Sequence, residues 1–372
     1  MKKNITALIK PASSLCNMDC AYCFYRDTAK HREQYSYGIM SREVVDHLIE
    51  KTLSFAEGGL VTYCFQGGEP LLVGIEFYEY FVSQVEKKNQ AGSKIIYSLQ
   101  TNGTNLSEEF CKLFREKEFL LGVSLDGPRN VHDYYRYSLG HEGTFDKVME
   151  GIALLRKYEV EFNILSVVTA YSAKYIKEIW EFFKQQGFSY LQFIPCLEPI
   201  GTIPFQTGFA MDNEQYYQFQ KQLFDLYWND LHTKNRVFVR HLDNIMARLY
   251  GGRVEQCDMI GRCLGQLVIE ADGSIYPCDF YCEDKYFLGN IVKMNLKELE
   301  QSAVMRQFIK ESFPIEEDCK NCLVLGLCRG GCRRERDVFA NGVLQKNIYC
   351  EGRKKFFLYI VNKLKNNKKN GG

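Results

Sequence analysis

Three cysteines near the start of the chain, Cys16, Cys20 and Cys23, constrain it most, through their C-x3-C-x2-C spacing. They directly follow a β-rich segment at residues 5–11, so we expect them in the loop after a first strand. Three thiolates this close in sequence suit one metal centre. A structural zinc site needs four ligands, whereas a 4Fe–4S cluster held by three cysteines leaves one iron open. Zinc completed from elsewhere in the chain, and free buried thiols, remain as alternatives.

The first two thirds of the chain alternate strand and helix patterns. Six β-rich segments lie at residues 5–11, 60–67, 94–101, 120–127, 161–169 and 189–196. Amphipathic helical patterns lie at residues 41–56, 74–89, 107–118, 144–158 and 173–186, and one or two longer helices fit 213–250. This order predicts an α/β fold with a parallel sheet, in which ligands bind at the C-terminal ends of the strands. Beyond it we expect a hairpin turning at Asp272-Gly273 and one helix over 296–311.

Composition excludes several classes of protein. The 372 residues carry 47 basic and 46 acidic side chains, a balance that argues against unselective nucleic-acid binding. No apolar run approaches the roughly 18 residues that a membrane span needs, and the N-terminal segment lacks the pattern of a secretory signal. We therefore expect a cytoplasmic protein. In that compartment clustered thiols more often bind metal than form disulfides, and the cysteine count of 15 is odd.

Eight further cysteines fall near the C-terminus. They are Cys257, Cys263, Cys278, Cys319, Cys322, Cys328, Cys332 and Cys350. Four thiolates suit either a zinc ion or an iron–sulfur cluster, and the spacing alone does not separate the two. Cys282 is a spare thiol that could replace a neighbouring ligand, while Cys64, Cys111 and Cys196 are expected to be packed in the core.

The motifs at the strand ends resemble those of radical S-adenosylmethionine (SAM) enzymes. Gly67-Gly68-Glu69-Pro70 lies at the end of the second β-rich segment and SLDGP at 124–128 at the end of the fourth, and Tyr22 precedes the last cysteine of the first run. The resemblance implies a partial (β/α)6 TIM-like barrel in which the open iron of a 4Fe–4S cluster binds SAM and produces a 5′-deoxyadenosyl radical. The SAM-contacting residues that it implies are Tyr22, Gly68, Glu69, Ser124, Arg136 and Leu197.

The C-terminal cysteines resemble those of a SPASM domain, which holds two auxiliary 4Fe–4S clusters. The resemblance implies one cluster held by Cys257, Cys263, Cys278 and Cys332, and a second held by Cys319, Cys322, Cys328 and Cys350. It divides the chain into a radical SAM core at 1–235, a SPASM domain at 236–350 and a C-terminal helix with a frayed tail at 351–372. Attachment to a radical SAM core favours iron over zinc.

Segments from about residue 5 to 355 together resemble anaerobic sulfatase-maturating enzymes, among them FQGGEP at 65–70, SLQTNG at 98–103 and DGSIYPCDFY at 272–281. This resemblance implies oxidation of a Cys or Ser, in a Cys/Ser-x-Pro/Ala-x-Arg segment of a sulfatase, to Cα-formylglycine. Asp279, next to Cys278, is the implied general base, and an auxiliary cluster is the electron acceptor. Gln66 and Tyr25 are further candidates to face the peptide. The implied partner is the sulfatase segment. The chemistry of SAM cleavage adds the expectation of a ferredoxin or flavodoxin as electron donor.

Two other functions fit parts of this pattern. Other SPASM enzymes form thioether or carbon–carbon crosslinks in peptides, but they usually carry an N-terminal leader-binding domain, for which the first cluster at Cys16 leaves no room. A zinc-binding scaffold is the second alternative. It would be indifferent to SAM, and it leaves the strand-end motifs unexplained.

Overall fold

A computed structural model describes residues 2–231, 233–234, 236–313, 315–337 and 343–370. The chain forms two compact units, each assembled from segments distant in sequence. Unit 1 comprises Met1–Leu125, His132–Asn163 and Gly265–Phe308, and unit 2 comprises Asp126–Val131, Ile164–Leu264 and Ile309–Gly372. Residues 371–372, the end of the tail predicted to fray, lie outside the described residues.

The strands follow the predicted β-rich segments closely. They are β1 (Ile5–Ile9), β2 (Leu60–Phe65), β3 (Lys94–Thr101), β4 (Leu120–Ser124), β5 (Phe162–Val168), β6 (Tyr190–Pro195), β7 (Phe238–Val239), β8 (Leu267–Ile269), β9 (Ser274–Tyr276) and β10 (Gly289–Asn290). The alternation of buried and half-buried residues in β2 fits a strand whose two faces are covered unequally. All six predicted strands are confirmed.

The helices occupy the segments between the strands and most of the C-terminal region. They are α1 (Phe24–Lys30), α2 (Arg42–Ala56), α3 (Ile75–Lys88), α4 (Glu108–Glu116), α5 (Arg129–Tyr135), α6 (Phe145–Lys157), α7 (Ile176–Gln185), α8 (Asn213–Asp230), α9 (Arg240–Leu249), α10 (Leu296–Gln301), α11 (Ala303–Glu311), α12 (Glu317–Lys320), α13 (Leu325–Cys328) and α14 (Cys350–Asn370). No described helix is long and apolar enough to cross a membrane.

Local signals in the sequence explain where these helices begin. The hydroxyl of Ser41 accepts the backbone N–H of Val44 and caps α2, as the sequence predicts. Leu48 and Ile49 of α2 are fully buried, and burying each such side chain contributes about 1.5–3 kcal/mol. The prediction of one helix over 296–311 is wrong, because the backbone of Ser302 is not helical (φ −57°, ψ 126°) and its hydroxyl accepts the N–H of Met305 at the start of a new helix.

The sheet of unit 1 brings distant segments side by side. Its strands lie in the order β10-β9-β8-β1-β2-β3-β4, in which β1 to β4 are parallel. Strand β8 also runs parallel to β1, with Ile9 opposite Ile269, and β9 returns antiparallel through a turn at Gly273. The predicted hairpin is therefore confirmed. Because β8 pairs with β1, the hairpin and the segment after β9 lie beside the first strand.

Unit 2 contains a smaller parallel arrangement and most of the C-terminal cysteines. Strands β5, β6 and β7 are parallel neighbours, and the segment 213–250 forms two helices, α8 and α9. Helix α8 packs against α14 through aromatic side chains. Phe224 of α8 meets Phe356 of α14 edge-on, and the ring of Tyr216 stacks on that of Tyr349, directly before α14, with centroids 4.6 Å apart.

Candidate active site

The loop between β1 and α1 carries the first three cysteines. The sulfur of Cys23 caps α1 by accepting the N–H of Arg26 at 3.4 Å, and the sulfur of Cys16 accepts the N–H of Met18 at 3.4 Å. All three cysteines, including Cys20, are half-buried. Backbone N–H groups directed at sulfur are typical of iron–sulfur sites, so this donor set fits a cluster. In the described part of the chain, no three His, Cys, Asp or Glu side chains converge on a single metal ion.

A second segment of unit 1 supports this loop. Ala21 donates its N–H to the carbonyl of Tyr135 at 3.0 Å, and the rings of Tyr22 and Tyr135 meet edge-on. The guanidinium of Arg136 lies 5.4 Å from the ring centroid of Tyr22 and is 7% exposed. Two of the predicted SAM contacts, Tyr22 and Arg136, are thus neighbours beside the cysteine loop.

The glycine-rich motif after β2 is tied to the segment that leads into Cys16. Gly68 donates its N–H to the carbonyl of Ser13 at 2.8 Å, and Glu69 donates to Leu15 at 2.8 Å. A side chain at position 68 would lie 2.0 Å from the carbonyl oxygen of Leu15, so only glycine allows this approach. The motif therefore lies directly beside the cysteine loop.

The carboxylate of Glu69 is turned into the protein. Its Oε1 accepts the N–H of Leu71 at 3.1 Å and the hydroxyl of Thr101 at 2.8 Å, and its Oε2 accepts the N–H of Asn102 at 2.7 Å. Burial raises the pKa of Glu69 to about 7, although these hydrogen bonds oppose the rise. Burial and the neighbouring Glu69 also raise the pKa of Cys16 to about 11. Most acceptor positions of the Glu69 carboxylate are already in use, which leaves the backbone carbonyls of the motif for a ligand ammonium group.

Glu69 has a measurable consequence for stability. Its pKa rises from 4.5 to about 7 on folding, so between these pH values the unfolded chain loses a proton that the folded chain keeps. Folding stability therefore falls as pH rises through this window, by about 3 kcal/mol in total. Glu69→Gln should lack this component. We expect urea unfolding of the SAM-free protein to show that folding stability falls less from pH 5 to pH 7 in Glu69→Gln than in wild type. An equal fall in both proteins would contradict a raised pKa for the buried Glu69.

The remaining two predicted SAM contacts lie at strand ends in different units. Ser124 is the last residue of β4 in unit 1 and is half-buried. Leu197 follows β6 by two residues in unit 2 and is also half-buried. Both positions fit the expectation that ligands bind at the C-terminal ends of parallel strands.

Asp279 follows Cys278 at the end of the hairpin and is held from two sides. The ammonium of Lys10, directly after β1, donates to Oδ1 of Asp279 at 2.5 Å. The amide of Gln66, directly after β2, donates to Oδ2 at 2.7 Å. The side chain of Asp279 keeps 17% of its surface exposed, whereas that of Lys10 keeps 1%. The pairing of β8 with β1 thus brings the predicted base to the C-terminal ends of the first two strands.

A buried charge network lies behind Asp279. The hydroxyl of Tyr25 donates to Oε1 of Glu270, and the guanidinium of Arg32 donates to the same oxygen at 2.7 Å. Lys10 lies over the ring of Tyr25, 3.7 Å from its centroid. Sequence reasoning missed Lys10, Arg32 and Glu270. The one available signal was a lysine at the end of a strand that is otherwise apolar.

Unit 2 brings together three cysteines of the first predicted auxiliary cluster. Burial raises the pKa of the Cys257 thiol, with further rises from Asp258 and the neighbouring Cys263. The pKa of Cys332 is raised well above its usual value by burial, then by Glu335 and Cys257. Cys257 therefore lies close enough to both Cys263 and Cys332 to interact with each of them. Cys278, the predicted fourth ligand, belongs to unit 1.

All four cysteines of the second predicted auxiliary cluster lie in unit 2. Burial raises the pKa of Cys319, and Cys328 and Cys322 raise it further. Burial raises the pKa of Cys350, the first residue of α14, to about 11; Lys346 lowers it, while Cys319 and Cys328 raise it. Four free, half-buried thiols that influence one another are a donor set that fits a fully protein-ligated cluster.

Buried arginines lie beside these cysteines, a feature that the sequence alone did not indicate. Arg336 is 4% exposed and donates to the carbonyl of Ser312 at 3.1 Å, while the hydroxyl of Ser312 accepts the N–H of Cys263 at 2.9 Å. Burial lowers the pKa of Arg336, and Cys319 and Cys263 raise it. One guanidinium therefore lies near a thiol of each predicted auxiliary cluster.

Comparison with known proteins agrees with this geometry. Residues 11–183 match the Radical SAM superfamily, and residues 257–323 match the SPASM iron–sulfur cluster-binding domain. A cysteine-type anaerobic sulfatase-maturating enzyme from Clostridium perfringens strain 13 is 43% identical over 362 residues, which cover 97% of this chain and 98% of that protein. The chain belongs to the anaerobic sulfatase-maturating enzymes. A serine-type family member from Bacteroides thetaiotaomicron is 31% identical and covers 96% of this chain and 90% of that protein.

A solved structure of a family member extends the similarity to three dimensions. It is anSMEcpe with bound AdoMet and a Cp18Cys peptide, with a TM-score of 0.93, 42% identity, and coverage of 99% of each chain. The predicted fold class, the enzyme class and the use of SAM and iron–sulfur clusters are confirmed. The three-part division of the chain and the roles of individual site residues stay predictions.

Proposed function

We propose that this anaerobic sulfatase-maturating enzyme acts on a cysteine in a sulfatase Cys-x-Pro/Ala-x-Arg segment and that Asp279 is the base of the reaction. Identity is higher to the cysteine-type than to the serine-type family members, at 43% against 31%, which favours cysteine as the target. The observation that carries the assignment of the base is the Asp279 carboxylate, partly exposed and held by hydrogen bonds on both oxygens beside Cys278.

The reaction must remove three particles from the target cysteine. One hydrogen atom leaves Cβ, one proton leaves the thiol and one electron leaves the resulting radical anion, which gives a thioaldehyde. Water then replaces the sulfur, which departs as hydrogen sulfide, and the aldehyde remains. When bound, SAM and the clusters supply the acceptor of the hydrogen atom and the acceptor of the electron.

The proton is the part that the polypeptide itself handles. The Asp279 carboxylate has one donor on each oxygen and keeps a further lone pair on each, so it can accept a proton from a thiol on its exposed side. A positioned base contributes about 10²–10⁴-fold to such a step. A peptide main chain lying at the C-terminal ends of β1 and β2 would bring its thiol to this carboxylate.

The other site residues are proposed to hold SAM and the clusters. Tyr22, Gly68, Glu69, Ser124, Arg136 and Leu197 would surround SAM, and Cys16, Cys20 and Cys23 would ligate its cluster. Cys257, Cys263, Cys278 and Cys332 would ligate one auxiliary cluster, and Cys319, Cys322, Cys328 and Cys350 the other. In unit 2, neighbouring cysteines from each of these two ligand sets raise one another's pKa, which supports both assignments.

We further propose a cytoplasmic enzyme whose substrate segment is unfolded or nascent. The structure records no disulfide among its described cysteines, which is consistent with a reducing compartment. A one-electron carrier of the ferredoxin or flavodoxin class would supply the electron that SAM cleavage consumes. Nothing in the near-neutral charge favours a nucleic-acid partner.

Two matched peptides test the proposed function. Anaerobically reconstituted protein is mixed with SAM, a reductant and a peptide that contains Cys-x-Pro-x-Arg or the same peptide with Ser. Mass spectrometry should find the aldehyde from the cysteine peptide, with 5′-deoxyadenosine, and at least about tenfold less from the serine peptide. Equal rates would reject the preference for cysteine. SAM cleavage with neither peptide altered would favour another SPASM peptide modification.

A further inference from the structure

Lys10 is a buried cation whose ion-pair partner is the proposed base. It follows β1, its backbone N–H donates to the carbonyl of Ile269 at 2.8 Å, and it is 1% exposed. Its ammonium lies 2.5 Å from Oδ1 of Asp279 and 3.7 Å from the ring centroid of Tyr25. Burying an ammonium group is costly unless it is paired, so the energy of this lysine depends on the position of Asp279.

The charge of Lys10 is maintained by its surroundings. Burial lowers its pKa, but Asp279, then Cys282 and Glu270, raise it, and the net change is upward. Lys10 is therefore an ammonium ion at neutral pH and donates hydrogen bonds without accepting them. Any movement of the Asp279 carboxylate away from it would leave a buried charge unpaired.

The carboxylate is fixed by a second donor of a different kind. The neutral amide of Gln66 donates to Oδ2 of Asp279 at 2.7 Å, while the ammonium of Lys10 donates to Oδ1. A donor on each oxygen prevents free rotation of the group about its Cβ–Cγ bond. Lys10 and Gln66 follow neighbouring parallel strands, β1 and β2, so the sheet sets the spacing between the two donors.

We propose that Lys10 is a positioning residue for the reaction, which together with Gln66 holds the Asp279 carboxylate in the single orientation that receives the thiol proton. The proposal rests on the proposed function. The side chain of Lys10 is 1% exposed and its ammonium is paired with Asp279, so Lys10 acts through the carboxylate.

Misorientation of the base has a distinctive effect on the products. Loss of the Cβ hydrogen and loss of the thiol proton are separate events at one residue, and Asp279 takes part only in the second. When the carboxylate is misplaced by about 1 Å, a positioned step slows by about 10²-fold. SAM would then be consumed without completing the aldehyde, and 5′-deoxyadenosine would exceed formylglycine.

The test is the ratio of 5′-deoxyadenosine to formylglycine in reconstituted Lys10→Met, which matches the lysine stem in shape and removes its charge. We expect the ratio to rise at least about fivefold and kcat for the aldehyde to fall about tenfold or more, with KM for the peptide within about twofold of wild type. Lys10→Gln keeps one donor and should lie between Lys10→Met and wild type. Lys10→Gln also replaces Lys10→Met in this test if Lys10→Met does not fold.

Lys51→Met is the matched control, because Lys51 is a half-buried lysine of unit 1 that donates to the backbone carbonyl of Val292 at 2.9 Å. It should leave the ratio unchanged. Aldehyde and 5′-deoxyadenosine falling in parallel in Lys10→Met and Lys10→Gln would mean a purely structural role and would overturn the proposal. An unchanged ratio of 5′-deoxyadenosine to formylglycine together with an unchanged kcat in Lys10→Met would also overturn the proposal. If the wild-type protein makes no aldehyde, the proposed function fails. If the wild-type protein makes aldehyde and the variants give either result above, only the role of Lys10 fails.

Discussion

Cys20→Ala is expected to abolish SAM cleavage and to remove about four of roughly twelve irons per chain, because three thiolates are the minimum that holds the first cluster. Cys20 lies between Cys16 and Cys23 in a loop that offers no further cysteine. The rate of 5′-deoxyadenosine formation should fall below about one-thousandth of wild type, since without a reducing centre no side chain can cleave SAM in this way. Iron and sulfide analysis with a SAM-cleavage assay measures both effects.

Cys111→Ala is the matched control for that loss. Cys111 is fully buried in α4, and burial raises its pKa to about 11, as expected for a packed thiol without a ligand role. The variant should keep its iron content and SAM cleavage, with a modest loss of stability from the small cavity. If Cys20→Ala retained full iron and SAM cleavage, the assignment of the first cluster to this loop would be wrong.

The sequence was sufficient for features that depend on local interactions. The six strands and the helix capped by Ser41 follow from periodicity and from a single capping hydroxyl, which act over a few residues. The break at Ser302 is also local, but the apolar periodicity of 296–311 continues through it and concealed it. Helix length was therefore predicted less well than helix position.

The arrangement around Asp279 depends on contacts that periodicity does not encode. Lys10 and Asp279 are 269 positions apart and meet only because β8 pairs with β1. The motif around Glu69 indicated a SAM site, but not that its carboxylate would be buried under three donors. Similarity to a family identified candidate residues, whereas the direction of each side chain needed the tertiary structure.

Asp279→Asn tests the proposed base with the second largest expected effect. Asparagine keeps the size of the side chain and an oxygen that Lys10 can bond, but it cannot accept the thiol proton at neutral pH. Aldehyde formation should fall about 10²-fold or more, while iron content and SAM binding stay at the wild-type level. The measurement is aldehyde yield by mass spectrometry, alongside iron analysis and the spectrum of the reduced clusters.

Asp284→Asn provides a matched comparison five residues further on. Asp284 is exposed and accepts the N–H of Glu33 at 2.8 Å, so its replacement changes a nearby carboxylate without touching Lys10 or Gln66. It should retain aldehyde formation within about twofold of wild type, as is usual for a surface change. Aldehyde formation in Asp279→Asn within about threefold of wild type would show that another group takes the thiol proton. A selective loss in Asp279→Asn alone would tie proton removal to the carboxylate that Lys10 and Gln66 hold.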